Sequence, residues 1–308
     1  GVLAEFRRLA MKSRRLSAEI LEEGDAPLLD KLHLTEGAYL KRAAVLLFHP
    51  DPERFVTGAF IKLGFFENNV DLRYQDEVHG SVLLQVDRTL ELLKAKYLKA
   101  WISYEGLQRI ESYPVPDPAL REAILNAVVH KDYGSAIPVQ ISVYPDKLMI
   151  WNPGQLPPEW TVARLLDKHA SLPSNPDVAN AFFRAGMIES WGRGIERMLE
   201  ACAAEGMPAP AFSAEHTGLW VTFPFASAHL DARGGQETPV KTPVKTPVKT
   251  PEQILSALTE SPTLTLAELA SSIGKSTSAV ERAAAKLVRE GRLRFVGPRK
   301  GGRWEVSK

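Results

Sequence analysis

Residues 117–134 read DPALREAILNAVVHKDYG. Asp117 can cap a helix whose first turn holds Pro118, where the missing N–H has no helical partner to lose. Leu120, Ala123, Ile124, Ala127 and Val128 then repeat at helical spacing and would face a core. Glu122 and Asn126 stand one turn apart on another face, with Val129 and His130 a turn further on. A carboxylate and a carboxamide at i, i+4 beside an apolar wall can serve as base and metal ligand. Glu-x-x-x-Asn also arises by chance, so its weight depends on what surrounds it.

Downstream, residues 137–144 and 147–151 read as strands joined by a turn at Pro145-Asp146. Residues 152–175 form a long, loop-rich connection, 176–185 and 194–203 two helices, and 219–225 a last strand. Upstream, residues 1–24 are helical and charged, 40–49 form a helix or a helix-to-strand passage ending at Pro50, and 55–65 a strand. Residues 82–97 carry leucines at helical spacing, and 101–113 read as strand and turn. The pattern predicts an α+β fold with helices on one face of a mixed sheet.

Two further pieces follow the Glu122 helix in order. Asn152-Pro153-Gly154 comes directly after the strand KLMIW, and Gly192-Arg193-Gly194 opens a helix. Glycines at a helix start let backbone N–H groups approach an anion, and the helix dipole favours phosphate there. His130 and Asp132 could form a general base with its orienting carboxylate, or His130 could simply end the helix.

Taken together, ALREAILNAVVHKDYG, IWNPGQLP and SWGRGIERM resemble the GHKL (Bergerat-fold) ATPase superfamily. The closest likeness is to the ATPase-like domain of proteins called RecG-related helicases or transcriptional regulators, over about residues 116–225. Such proteins commonly carry an AlbA-like, Schlafen-type domain further N-terminal; here it would be largely missing. The resemblance implies ATP and Mg²⁺ as cofactors. Glu122 would match the glutamate that activates water, and Asn126 the asparagine that ligates Mg²⁺ at the phosphates. Asn152 and Gly154 fall where Asp-x-Gly-x-Gly holds adenine, and Gly192 and Gly194 fall on the glycine-rich box near the phosphates. This chain departs from the pattern in three places. Asn152 replaces the adenine-reading Asp, Leu156 stands at the second glycine of that box, and the phosphate box is one glycine short. Asn can still pair with an amino group through its carbonyl. Ser174-Asn175-Pro176 could belong to an ATP lid or to a plain loop turn.

A chain of 308 residues, 44% hydrophobic and 24% charged, can hold two or three globular domains. The clearest boundary is residues 238–251, TPVKTPVKTPVKTP, where a proline every fourth residue forbids helix and favours polyproline II. At about 3.1 Å per residue it would span roughly 43 Å. This reads as a spacer preceded by a flexible Gly234-Gly235 joint, the alternative being a Pro-rich docking motif. The expected divisions are 1–115, an α/β segment; 116–226, the ATPase-like domain; 227–251, the linker; and 252–308, a small C-terminal domain.

In that last domain, residues 252–258 and 266–273 read as helices, the second capped by Thr265. Gly274 breaks the second helix, and Ser276 can cap a third that runs to residue 290 with Val280, Ala284 and Leu287 inward. Residues 292–296 and 303–306 form two short strands around GPRKGG. Three helices and a basic hairpin resemble a winged helix-turn-helix. That resemblance implies a partner, double-stranded DNA, with Thr277, Ser278 and Arg282 at base edges and Arg299, Lys300 and Arg303 on the wing. From Lys275 onward ten Lys and Arg oppose three Glu, although the whole chain carries only +1. A winged helix used for protein contacts, or a plain solvated basic surface, is the alternative. Gly274-Lys275-Ser276 is not the end of a P-loop, because that motif needs glycine where Leu269 stands.

Cys202 is the only cysteine, so a disulfide framework and a cysteine-based zinc site are excluded. No apolar run reaches membrane-spanning length and no secretory signal is visible, which predicts a cytoplasmic protein without a membrane partner. The start at Gly1 without an initiator Met suggests a fragment. The expectation is a DNA-binding transcriptional regulator that couples a nucleotide pocket to a winged helix. A homodimer or higher homo-oligomer is compatible with it, because tethered modules gain affinity by effective concentration. The rivals are a Mg²⁺-dependent ATPase driving a conformational cycle and a degenerate scaffold that binds no nucleotide.

Overall fold

A computed structural model describes residues 1–105, 108–189, 191–227, 229–230, 254–255, 257–259, 261–272, 277–298 and 302–306. The Thr-Pro-Val-Lys repeats, Lys275, Ser276, Arg299 and Lys300 lie outside the described residues. Gly1–Gly235 form one compact unit and Gln236–Lys308 a second.

The first unit opens with helices α1 (Val2–Ser13), α2 (Ala18–Glu22) and α3 (Asp25–Lys31), a short hairpin of β1 (Thr35–Glu36) and β2 (Tyr39–Leu40), and α4 (Arg42–Phe48). Strands β3 (Ile61–Phe66) and β4 (Leu72–Val78) are followed by α5 (Val82–Leu92). A separate hairpin, β5 (Trp101–Glu105) and β6 (Gln108–Ser112), leads into α6 (Asp117–His130). Then come β7 (Val139–Val143), β8 (Lys147–Asn152), α7 (Val162–Leu166), α8 (Pro176–Arg184), α9 (Gly194–Ala204), β9 (Ala211–Glu215) and β10 (Gly218–Pro224).

One six-stranded sheet runs through the unit in the order β4-β3-β7-β8-β10-β9. The β3–β7 pair is parallel and the others are antiparallel, which gives the mixed sheet expected of an α+β chain. Because β3 and β4 extend the sheet of β7–β10, residues before and after 115 share one sheet and one core. The buried residues Ile61, Leu63, Val139, Ile141, Val143, Leu148, Ile150, Val221 and Phe223 keep the period of two that a strand packed on one face requires.

Helix α6 is the central element. Ala119, Leu120, Ala123, Ile124, Leu125, Ala127, Val128 and Val129 are all buried, so the helix is apolar nearly all round, as an interior helix must be. Its remaining stripe, at i, i+4 and i+8, is Glu122, Asn126 and His130.

Several local expectations shift by short distances. The N-cap of α6 is Pro116 rather than Asp117. Asp117 instead sits in the first turn, where its carboxylate suits the dipole and pairs with Lys94. The expected strand over 55–65 begins only at Ile61, after a 3₁₀ turn at Pro52–Arg54. The helix over 82–97 is α-helical to Leu92 and continues as a wider π turn, Leu93–Tyr97. Strands β4 and β9 were not expected. They are the sheet's two edges: LRYQDEV alternates at Leu72, Tyr74 and Val78, but its other four residues are charged or amide and Asp76 breaks the apolar face, and AFSAE has no sustained alternation.

In the second unit, α10 (Leu266–Ser272) and α11 (Thr277–Arg289) pack with a hairpin of β11 (Leu293–Val296) and β12 (Arg303–Val306). Ile254, Leu258, Leu269, Ala270, Val280, Ala284, Leu287 and Leu293 form its core. Thr265 caps α10 as expected, within a reciprocal capping box. Its Oγ1 accepts from the Glu268 N–H at 3.3 Å, and the Glu268 carboxylate accepts from the Thr265 N–H at 2.9 Å. The Thr265 N–H, and the Thr265 hydroxyl that donates to the same carboxylate at 2.7 Å, hold the Glu268 acid below the usual carboxylate range.

Candidate functional site

The polar stripe of α6 opens into a cavity bounded by the ends of β8 and β10, the 153–175 connection and the start of α9. Glu122, Asn126, Asn152, Gly154, Gly192 and Gly194, scattered over more than seventy residues of sequence, all line it. Ala123, Ala127, Val129, Ile150, Met198 and Val221 form an apolar wall between its polar ends.

At one end, Asn126 Nδ2 donates to Glu122 Oε1 at 3.2 Å. Burial raises the Glu122 pKa above the ordinary carboxylate value, and the Asn126 bond and the charge of Arg197 oppose that rise. The N-terminus of α9 presses on this pair: a Cβ on Gly194 would lie 2.9 Å from the Glu122 carboxyl carbon and 3.3 Å from Asn126 Nδ2. Gly192 has φ +68°, and a Cβ there would meet the His169 carbonyl oxygen at 2.6 Å. Its two-glycine turn therefore lets the 167–171 loop close over α9 while the helix start closes on Glu122.

At the other end is Asn152, 6% exposed, whose Oδ1 has no hydrogen-bond partner. A buried acceptor left unpaired costs about 1–3 kcal/mol, a cost that a ligand donor would remove. Gly154 follows at the cavity wall, where a Cβ would lie 2.8 Å from the His130 carbonyl oxygen. The donor set fits a nucleotide better than a metal held by protein alone. No group of three or more His, Cys, Asp or Glu among the described residues could hold a metal ion. Mg²⁺ suits such a site, because it commonly keeps several waters and takes few protein ligands besides phosphate oxygens.

The neighbouring residues of interest divide differently. Burial, aided by the charge of His169, lowers the His130 pKa and favours the neutral ring. Among the described residues His130 and Asp132 share no hydrogen bond, and Asp132 Oδ1 instead accepts from the Gly134 N–H at 2.8 Å. Asn175 Nδ2 donates to the carbonyls of Val129 at 2.8 Å and Lys131 at 2.7 Å, closing the C-terminal end of α6. Sequence reasoning missed Arg197, Glu189, Trp160 and His169. The last two meet edge to face at 4.9 Å on the outer lip. Arg197 could have been found from its place one turn into a glycine-opened helix; the lip residues have no sequence signal, because only the loop's path brings them there.

In the second unit, Thr277 is exposed at the first turn of α11, and Arg282 is exposed on the side of the helix opposite Val280, Ala284 and Leu287. Arg303, on β12, contacts Glu305 at 3.3 Å. Thr277 begins α11 and Ser278 follows it in the first turn.

Residues 137–223 match the family model described as "Putative ATP-dependent DNA helicase recG C-terminal". The match contains Asn152, Gly154, Gly192 and Gly194 and begins after Glu122 and Asn126. Residues 249–294 match the winged helix-turn-helix DNA-binding model. No curated protein matches the chain. A solved structure similar in fold is that of the DIP2311 protein from Corynebacterium diphtheriae, with TM-score 0.59 and 20% identity over 98% of this chain. The chain spans 61% of that protein's length. The first unit thus carries an ATPase-like domain related to the recG C-terminal family, and the second a winged helix-turn-helix DNA-binding domain.

Proposed function

We propose that the first unit binds ATP with Mg²⁺ and that the chain is a cytoplasmic DNA-binding transcriptional regulator whose winged helix responds to that binding. The unpartnered Oδ1 of Asn152 is the observation that carries the nucleotide reading. A carboxamide buried at one end of an apolar cavity is suited to an exocyclic amino group, and a glycine-opened helix at the other end is suited to phosphate. Asn126 would supply one oxygen to the metal, with phosphate and water supplying the rest. Bound Mg²⁺ would neutralise phosphate charge.

Hydrolysis is the second reading, favoured by the buried Glu122 held by Asn126. Glu122 would take a proton from water at the terminal phosphate. For DNA, Thr277, Ser278 and Arg282 would face the major groove, and Arg303, with Arg299 and Lys300, the backbone or minor groove. Isothermal calorimetry of the full chain with ATP and Mg²⁺ tests the core of this reading. Saturable heat is expected, and no heat at millimolar nucleotide rejects the site in favour of a scaffold.

A further inference from the structure

The cavity's charged residues are unequally occupied. Glu189 is paired with Arg15 at 2.9 Å, and Arg193 with Glu196 at 3.0 Å. Arg197 also lines the cavity, yet among the described residues no carboxylate lies within ion-pair distance of it. It stands three residues after Gly194, one turn into α9. Side chains on a helix lean back toward its N-terminus, so this guanidinium is carried toward Gly194, where Glu122 and Asn126 are packed. Its charge is felt there by Glu122.

We propose that Arg197 is a specificity-determining residue that binds the outermost phosphate of a nucleoside triphosphate and makes the site prefer triphosphate over diphosphate. This rests on the nucleotide reading above and adds which phosphate is read, and by what. The unpaired Asn152 Oδ1 fixes the base at the far end of the cavity, so the phosphate chain runs toward Glu122 and α9. Backbone N–H groups at the start of α9 can serve any phosphate that reaches them. They cannot by themselves distinguish two phosphates from three. A forked guanidinium beyond the helix start can, because only a triphosphate extends to it and bidentate pairing rewards that contact. Glu122 makes the discrimination sharper. An anion brought beside a buried carboxylate is repelled unless cations stand with it; besides Mg²⁺, Arg197 is placed to do so, since Arg193, the other arginine lining the cavity, is held by Glu196, and nearby Arg15 and Arg121 by Glu189 and Asp87.

The test is calorimetry of the full chain and of Arg197→Ala and Arg197→Lys, each titrated with Mg-ATP and with Mg-ADP, alongside thermal melts. The wild type should bind ATP at least about tenfold tighter than ADP. Arg197→Ala should weaken ATP by about tenfold or more, leave ADP within about twofold, and melt like the wild type. Arg197→Lys, which keeps charge but not the fork, should fall between the two. Equal loss of ATP and ADP binding in Arg197→Ala, or no loss of either, overturns the assignment while leaving nucleotide binding intact. A wild type that binds neither nucleotide overturns the nucleotide reading itself, and this assignment with it.

Discussion

Gly194 is packed so tightly on Glu122 that a methyl group on its Cα would lie 2.9 Å from the carboxyl carbon. The start of α9 and the polar stripe of α6 therefore share one small space. Gly194→Ala is expected to drive the Glu122 carboxylate off Asn126, losing their hydrogen bond at a cost of about 1 kcal/mol. Thermal unfolding should show the lost stability, and calorimetry should show ATP affinity reduced by about tenfold or more. Unchanged affinity would mean that the approach serves packing alone.

Glu122→Gln keeps the size of the side chain and an acceptor for Asn126. If Glu122 activates water, phosphate release should fall by about a hundredfold or more while the Kd for ATP changes by less than about threefold. Turnover equal to that of the wild type would remove Glu122 from the chemistry.

Asn152→Leu separates binding from folding in the opposite direction from most core changes. It removes a buried acceptor that has no partner, so the ligand-free protein should melt at the same temperature or higher. The same change should weaken ATP by about tenfold, because the donor on the base then meets hydrocarbon. A lower melting temperature with full ATP affinity is the result that contradicts this account.

Lys131 is buried, with Nζ donating only to the carbonyls of Asp132 at 3.1 Å and Ser135 at 3.3 Å. Burial pushes its amine down from 10.5 to about 8, and the charge of Asp132 opposes this. Between those values the unfolded chain binds a proton that the folded chain does not, so folding stability from this group rises with pH. Relative to Lys131→Met, the wild type should gain about 3 kcal/mol from pH 8 to pH 10.5 in urea denaturation. A constant difference across that range would show that the ammonium is not desolvated.

On the winged helix, Arg282→Ala should lower affinity for a preferred duplex by about tenfold and narrow the gap between preferred and unrelated sequences. Arg303→Ala should weaken all duplexes alike and reduce the dependence of log K on log salt by about one. Titrations by fluorescence anisotropy at two or more salt concentrations measure both. Binding without salt dependence would count against a phosphate-contacting surface.

Most of the α+β frame was legible in the chain. The period of two in β7, β8 and β10, the helical spacing of the apolar residues of α6, the helix starts at Pro176 and Gly194 and the cap at Thr265 are local signals that the backbone obeys. Edge strands β4 and β9 were not legible, because an edge is recognised by its neighbour rather than by its own residues.

For the site, the sequence by itself determined which chemical groups are available: a Glu and an Asn one turn apart, an Asn after a strand, and glycines at a helix start. Only the tertiary structure decided that these groups line one cavity. It also decided that Asn175 closes the end of α6 and that Arg197 lines the same cavity, near enough for Glu122 to feel its charge. The physical reason is the difference between local and non-local forces. Periodicity, caps and turns act over a few residues, whereas unsatisfied acceptors, close glycine approaches and unpaired charges exist only after distant segments have packed.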